Sequence, residues 1–541
     1  MSGWKLPKIL SALAVLLLLG FAGCSRPQTA VEAGNATQTF HTASVGEPSE
    51  LDPHVINAPP DFKIVPMLFE SVVSAAPATL QAMPGVASSW EISDDRRTYT
   101  FHLRPEARWS NGDPLTASDF LYSWERALSP ALGSQYTFLF DAVVGAKEFA
   151  AGVLKDFAQV GFAAPDAHTV TITLKQPTPY FLEIVANNPV WSPVHPATIE
   201  AAGGMTARGS GWTRAENFVG NGAFTLAEWK PADIIRIEKS PTYWNADSVR
   251  LNAVVYHVYE SSDTEERAFR AGQIHRTERV PIPKVPAYRA QSPTPLRETD
   301  SLVSRFVNVN TTRAPFDDAR VRRAFALAID RDAIAARIYL GTAAPARRVV
   351  PLGTPGYPRD EDFEDNATAA RALLAEAGYP GGRGFPVVPM SVETGSRTQL
   401  PEALQARWLD VLGVRVEILL SESRVHWSNL QLGDYTLSIG GWVSDYPDAT
   451  AMLDIWGGSS GWNFTGWKDP AYDETLAAAA RAFDPAVRSR VLRRAEGQLV
   501  AAMPVIPICF EKRPLLVSPS VIGLEENAMD RVDYRPVVLQ P

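Results

Sequence analysis

Apolar and polar residues alternate strictly over residues 98–103, with Tyr99, Phe101 and Leu103 on one face and Thr98, Thr100 and His102 on the other. This predicts a half-buried strand. Residues 169–175 repeat the pattern with Val170, Ile172 and Leu174. Elsewhere the period lengthens to that of a helix. Thr116 followed by Asp119 is a capping-box variant, and Phe120, Trp124 and Leu128 form an apolar stripe that Pro130 ends. Residues 317–340 read as one long helix interrupted near Asp330, with Val321, Phe325, Ala328 and Ile329 on one face and Gly341 as a stop. Further helices are predicted over residues 368–376, 400–412 and 470–482. Strands and helices alternate late in the chain, which makes its C-terminal half α/β. No repeat of solenoid period is present.

The start of the chain follows a different rule. Lys5 and Lys8 precede an apolar run over residues 9–19, and Gly20-Phe21-Ala22-Gly23-Cys24 sets small residues before a cysteine. The run is shorter than the roughly 20 apolar residues a bilayer span needs, so residues 1–23 read as a signal peptide. The ending resembles a lipobox, which implies diacylation of Cys24; a plain signal peptide cut nearby is the alternative. Residues 24–38 are small and polar and read as a tether. With Cys24 lipidated, Cys509 has no disulfide framework to join, and the core must hold the fold. Loss of Lys5 and Lys8 with the leader moves the formal charge from -9 to about -11, which argues against nucleic acid or an anionic membrane surface as partner.

Several blocks then stand in series. They are Gly46-Glu47-Pro48-Ser49-Glu50-Leu51-Asp52-Pro53, Leu68-Phe69-Glu70-Ser71-Val72, Pro84-Gly85-Val86-Ala87-Ser88-Ser89-Trp90-Glu91 and the run from Trp109-Ser110-Asn111-Gly112-Asp113-Pro114 to Phe120. Gly220-Asn221-Gly222-Ala223-Phe224, Pro241-Thr242-Tyr243-Trp244-Asn245, Pro315-Phe316-Asp317-Asp318, residues 442–448 and Tyr472-Asp473 follow. This order resembles the oligopeptide/dipeptide-binding family of ABC-importer receptors, solute-binding protein family 5, over residues 40–540. The resemblance implies an α/β, two-lobed clam-shell of the periplasmic-binding-protein kind, with an additional packing domain inserted in lobe I. It places lobe I at 39–70, 195–298 and 505–541, the packing domain at 71–194 and lobe II at 299–504. Two crossings, near residues 302–310 and 506–517, form the hinge.

For the ligand, the resemblance points to residues 440–448, which follow a strand-like stretch. Gly440 and Gly441 would let a ligand backbone come close, Trp442 would form pocket wall, and Asp445 would pair with a peptide's free α-amine. Capping of the next helix is the alternative role for Asp445. Asn57, Ala58 and Pro59 in lobe I would line the opposite side, so that an extended peptide adds as a strand. Ile439 stands where some relatives carry an arginine. Arg397 falls where a basic group can meet a peptide C-terminus, or is a solvated turn residue. Trp427, Tyr136 and Phe510 are further candidates, each with core packing as the alternative. The implied partners are a short peptide and ABC permease subunits, with the membrane reached only through the lipid anchor. A monomer on the periplasmic face is expected, with the inner membrane preferred to the outer and no cofactor or metal.

Other classes fit less well. Gly457-Gly458-Ser459-Ser460-Gly461 matches Gly-x-Ser-x-Gly but lacks the strand–turn–helix setting a hydrolase nucleophile needs. Asp317 and Asp318 are adjacent on a helix and cannot face one another. The eight histidines make no metal-binding spacing, and no Walker A sequence is present. An oligosaccharide, opine or metal chelate in the same cleft is the alternative ligand, and the cluster Trp427, Trp442, Trp456, Trp462 and Trp467 is its sequence support.

Overall fold

A computed structural model of the chain describes residues 27–394 and 399–541. Lobe I is built on a four-stranded sheet in the order Thr39–Val45, Ala253–Tyr259, Ile234–Lys239, Phe224–Lys230. The first pair is parallel and the rest antiparallel. Ile235 and Ile237 turn inward between Arg236 and Glu238, the period-two pattern of a sheet with one face on a core.

The packing domain carries a second sheet, Ala87–Ile92, Thr98–Leu103, Thr169–Thr173, Phe162–Asp166, wholly antiparallel. Tyr99, Phe101, Leu103, Val170 and Ile172 are buried, as their alternation predicts. The helix Ala117–Leu128 has the expected capping box, with Thr116 and Asp119 bonding reciprocally. Phe120, Trp124 and Leu128 all bury against that sheet in one core with Trp109 and Trp191. This domain is locked to lobe I by fully buried Arg126, which donates to both oxygens of Asp52 (3.0 and 2.5 Å) and approaches His54 Nδ1 (2.8 Å).

Lobe II holds a mixed six-stranded sheet in the order Ala343–Pro345, Val505–Leu516, Leu296–Val309, Leu437–Val443, Val388–Glu393, Val416–Ser421. The helix expected over 317–340 is two, Ala319–Leu327 and Arg331–Arg337, because Asp330 turns out of helical geometry and caps the second through Ala333 N (3.0 Å). Gln399–Leu412 and Pro470–Ala480 match their predictions within two residues.

Two long strands join the lobes. Leu296–Val309 and Val505–Leu516 run antiparallel from Leu296 opposite Leu516 to Asn308 opposite Val505, with register breaks between Asp300 and Ser304 and between Arg305 and Phe306. At one end Leu515 enters the lobe I core; at the other, Val307, Ile506, Ile508 and Cys509 pack in lobe II. The boundary expected at residue 505 therefore falls within a strand whose first half belongs to lobe II.

The tether needs correction. Ala30–Thr37 is a helix, opened by a full capping box in which Thr29 Oγ1 accepts from Glu32 N (3.2 Å) and Glu32 accepts from Thr29 N (2.8 Å). Cys24 lies outside the described residues. Among the described residues no helix is long and apolar enough to cross a membrane.

Candidate functional site

A cavity of about 1080 Å³ opens where lobe I, lobe II and the packing domain meet. It is as large as a ligand site for a short peptide needs. Asn57, Pro59, Tyr136 and Asp445 line it, four of the residues the sequence singled out. The loop bearing Asn57 is shaped by buried Asp61, whose carboxylate accepts from Ser49 N (2.8 Å), Asn57 N (3.1 Å) and Ala58 N (2.9 Å). Ala58, between Asn57 and Pro59, is not one of the residues that line the cavity. Tyr136 meets the Phe62 ring edge-on at 5.5 Å.

Asp445 follows the Leu437–Val443 strand. Its backbone carbonyl accepts from Asn188 Nδ2 (3.1 Å), which ties the loop to the packing domain. Asp448 shapes the turn into the next helix, accepting from Thr450 N (2.9 Å) and Thr450 Oγ1 (2.7 Å), while the cap position itself is Ala449 without a side-chain bond. Asp445 does not cap that helix, and among the described residues no group hydrogen-bonds its carboxylate. Burial lifts that carboxyl to about 6, and the positive charge of Arg531 opposes the rise.

Gly440 and Gly441 do not reach the cavity. A Cβ added at Gly440 would lie 2.7 Å from Asn308 Nδ2, and one at Gly441 2.7 Å from Arg305 Nη1. The glycines make room for side chains of the neighbouring long strand, which corrects the expectation that a ligand backbone explains them. Their strand pairs with Leu296–Val309 over its whole length but meets Val388–Glu393 only at Leu437 and Ser438. Residues 440–443 therefore have one edge free of strand partners among the described residues.

Trp442 packs edge-on with Trp462 (5.3 Å), Trp462 with Phe464 (6.2 Å) and Phe464 with Trp427 (6.1 Å). This row lies on lobe II away from the cavity wall, and Trp427 is 39% exposed. Phe510 is buried in the long strand pair beneath Arg348, not in the pocket. Arg397 lies outside the described residues. Sequence reasoning missed Phe62, Lys63, residues 279–283 and Arg531, which also line the cavity. No local pattern marks them, because they meet only through tertiary packing. It likewise missed that His41 and His257 touch (Nδ1···Nε2 3.0 Å) beside His275, although no three His, Cys, Asp or Glu side chains among the described residues form a metal-binding group.

The profile of bacterial extracellular solute-binding proteins, family 5 Middle, matches residues 81–464. The chain belongs to this family, the solute-binding proteins of ABC importers. This family-5 receptor is 32% identical over 495 residues to the periplasmic oligopeptide-binding protein OppA of Escherichia coli K12, covering 90% of this chain and 89% of the relative. It is 31% identical to the probable deoxycholate-binding periplasmic protein YgiS of the same organism, with 92% of each chain covered. Among solved structures, the unliganded open form of the murein tripeptide-binding protein MppA superposes with a TM-score of 0.80 at 27% identity, covering 93% of this chain and 97% of that one. Haemophilus influenzae OppA in complex with RPPGFSPFR gives 0.76 at 26%, covering 93% and 99%. The α/β two-lobed fold expected from the sequence is therefore the fold found.

Proposed function

We propose that this receptor captures short peptides in the cavity between its lobes, by closure about the two long strands, and hands them to an ABC permease. The carrying observation is the Asp445 carboxylate, which lines the cavity and receives no hydrogen bond from the described residues. A carboxylate on a cavity wall with no partner of its own suits a cation, and a peptide's free α-amine supplies one with hydrogen bonds attached. A bile salt would bring an anion to the same carboxylate, which favours the peptide ligand named for OppA over the ligand named for YgiS. Val443, the one residue of the free strand edge that lines the cavity, suits a main-chain bond to an extended peptide, with Asn57 and Pro59 opposite and Arg397 near the peptide's far end.

The chain divides as lobe I at 39–70, 195–298 and the C-terminal segment, packing domain at 71–194, and lobe II between. It acts as a monomeric binding protein without catalysis, tethered outside the inner membrane through diacylated Cys24. Thermal-shift titration against mixed three- to five-residue peptides, free and N-acetylated, tests the ligand. Free pools at about 100 times their dissociation constant should add roughly 2.7 kcal/mol of stability. Equal response to free and acetylated pools removes the Asp445 anchor, and no response to either removes the peptide reading.

A further inference from the structure

The lobe I wall of the cavity is rich in charge, and most of it is paired. Lys63 holds Glu278 (2.9 Å) and Asp530, Arg513 reaches Asp530 (3.2 Å), and Arg279 reaches Glu265 (3.3 Å). Arg531 differs. Its Nη1 donates to the Phe62 carbonyl (3.2 Å) and its guanidinium lies over the Phe62 ring at 5.1 Å, but no carboxylate of the described residues comes within ion-pair distance. Its Nε is buried without an acceptor, and its Nη2 makes no hydrogen bond with the described residues, so one whole edge of the fork is unused. The buried Nε is shared with Arg513 on the same cavity; what sets Arg531 apart is a guanidinium on the cavity wall with no carboxylate partner, a place that suits a ligand anion. Nη2, which is not fully buried, is the donor left to a ligand carboxylate.

The neighbouring charges sharpen the case. The groups that act electrostatically on Arg531 are the Tyr136 hydroxyl and Asp445, both lining the same cavity, and Arg531 is the charge that acts on Asp445. If a ligand ammonium takes Asp445, Arg531 loses its counter-charge and two cations share one carboxylate. Like charges so placed repel strongly. The balance is restored if the ligand itself carries an anion close to its amine.

We propose that Arg531 is a specificity-determining residue that selects peptides with an acidic side chain on their first residue. This rests on the Asp445 amine anchor. An Asp or Glu at the first position carries its amine on the α-carbon and its side-chain carboxylate one or two methylenes from the same atom. The C-terminal carboxylate of a tripeptide is two Cα–Cα steps of about 3.8 Å further on.

The test is calorimetric titration of the full-length protein with Glu-Ala-Ala, Gln-Ala-Ala, Ala-Ala-Glu and N-acetyl-Glu-Ala-Ala. Glu-Ala-Ala is expected to bind at least tenfold more tightly than Gln-Ala-Ala, and Ala-Ala-Glu to gain nothing over Gln-Ala-Ala. In Arg531→Gln the Glu-over-Gln preference should vanish while Gln-Ala-Ala binds as well as before or better. Equal affinities for the Glu and Gln peptides in the wild-type protein overturn the proposal without need of the variant, as does a preference that survives in Arg531→Gln. The acetylated peptide reports separately on the anchor: acetylation without effect removes Asp445 as amine site, whatever the Glu-to-Gln ratio. Absence of binding by all four overturns both.

Discussion

Arg488 grips Asp448 in a two-bond pair, Nη1 to Oδ2 at 2.5 Å and Nη2 to Oδ1 at 2.7 Å. The same carboxylate accepts from Thr450 N in the turn before the next helix, and the guanidinium lies 5.2 Å above the ring of Tyr180. Tyr180 in turn stacks on Tyr446 at 5.3 Å, with the rings 5° from parallel. Structural work in this loop thus falls on Asp448, and Asp445 is left for the cavity.

A division of labour follows between two acids three residues apart. Asp448→Ala leaves Arg488 half-buried and unpaired, and should cost about 3 kcal/mol in denaturant unfolding. Its ratio of affinities for free over N-acetylated peptide should stay at the wild-type value. Asp445→Asn should do the reverse, leaving stability unchanged or raised and abolishing the ratio. If Asp448→Ala erased the ratio while Asp445→Asn kept it, the roles would be exchanged.

Ligand affinity should depend on pH through Asp445. Burial raises this carboxyl from 3.8 to about 6, so the empty cavity holds a proton that an ammonium must displace. Affinity should be greatest near pH 7, fall by up to about tenfold per unit below 6, and fall again above about 8 as the peptide's α-amine loses its proton. For folding the sign is opposite: the native state binds this proton more tightly than the unfolded chain. This one group therefore makes the empty protein more stable as pH falls from 6 towards 3.8. Dissociation constants measured from pH 4.5 to 8 for wild type and Asp445→Asn check this; a level wild-type profile would sink it.

Periodicity carried the secondary structure well. The strand at Thr98–Leu103 and the capped helix after Thr116 are local decisions of a few residues, and local patterns record them. Asp445 was legible only through resemblance to a family, since nothing in its surroundings distinguishes it from Asp448. Arg531 was not legible at all. Its meaning arises when it meets Asp445 across the cavity, and no pattern spans such a separation. The pairing of His41 with His257, 216 residues apart, escaped for the same reason. The capping box of Thr29 and Glu32 is different: the signal was present, but the small polar residues around it read as linker.

The buried Arg126 pair supports the joint between packing domain and lobe I. Arg126→Ala strands Asp52 without its counter-ion and should cost about 3–5 kcal/mol. His54, beside them, is held down to about 4 from its usual 6.5, by burial first and Arg126 second. The unfolded chain takes up that proton first, so this contribution to stability is lost as pH falls from 6.5 towards 4. Thermal melts of wild type and His54→Gln across this window should converge towards the acid end.

The N-terminal helix ought to behave as part of lobe I. Gln38, just after it, donates from Nε2 to the Leu539 carbonyl (2.6 Å) and accepts from Leu539 N (3.0 Å), so the helix end is bonded to the far end of the chain. At its start, Val31 N donates to the Gly272 carbonyl (2.9 Å), and Gly272 sits so near Thr29 that a Cβ there would come within 3.1 Å of its side chain. His275 closes the set, with Nε2 3.1 Å from Asn35 Oδ1. Each such bond contributes about 1 kcal/mol net. A protein beginning at Pro27 should therefore melt like the longer form, whereas one beginning at Thr39 should lose about 2–4 kcal/mol, and Gln38→Ala alone about 1–2 kcal/mol. Denaturant unfolding of the three measures this directly. Equal stability of the forms starting at Pro27 and Thr39 would restore the tether.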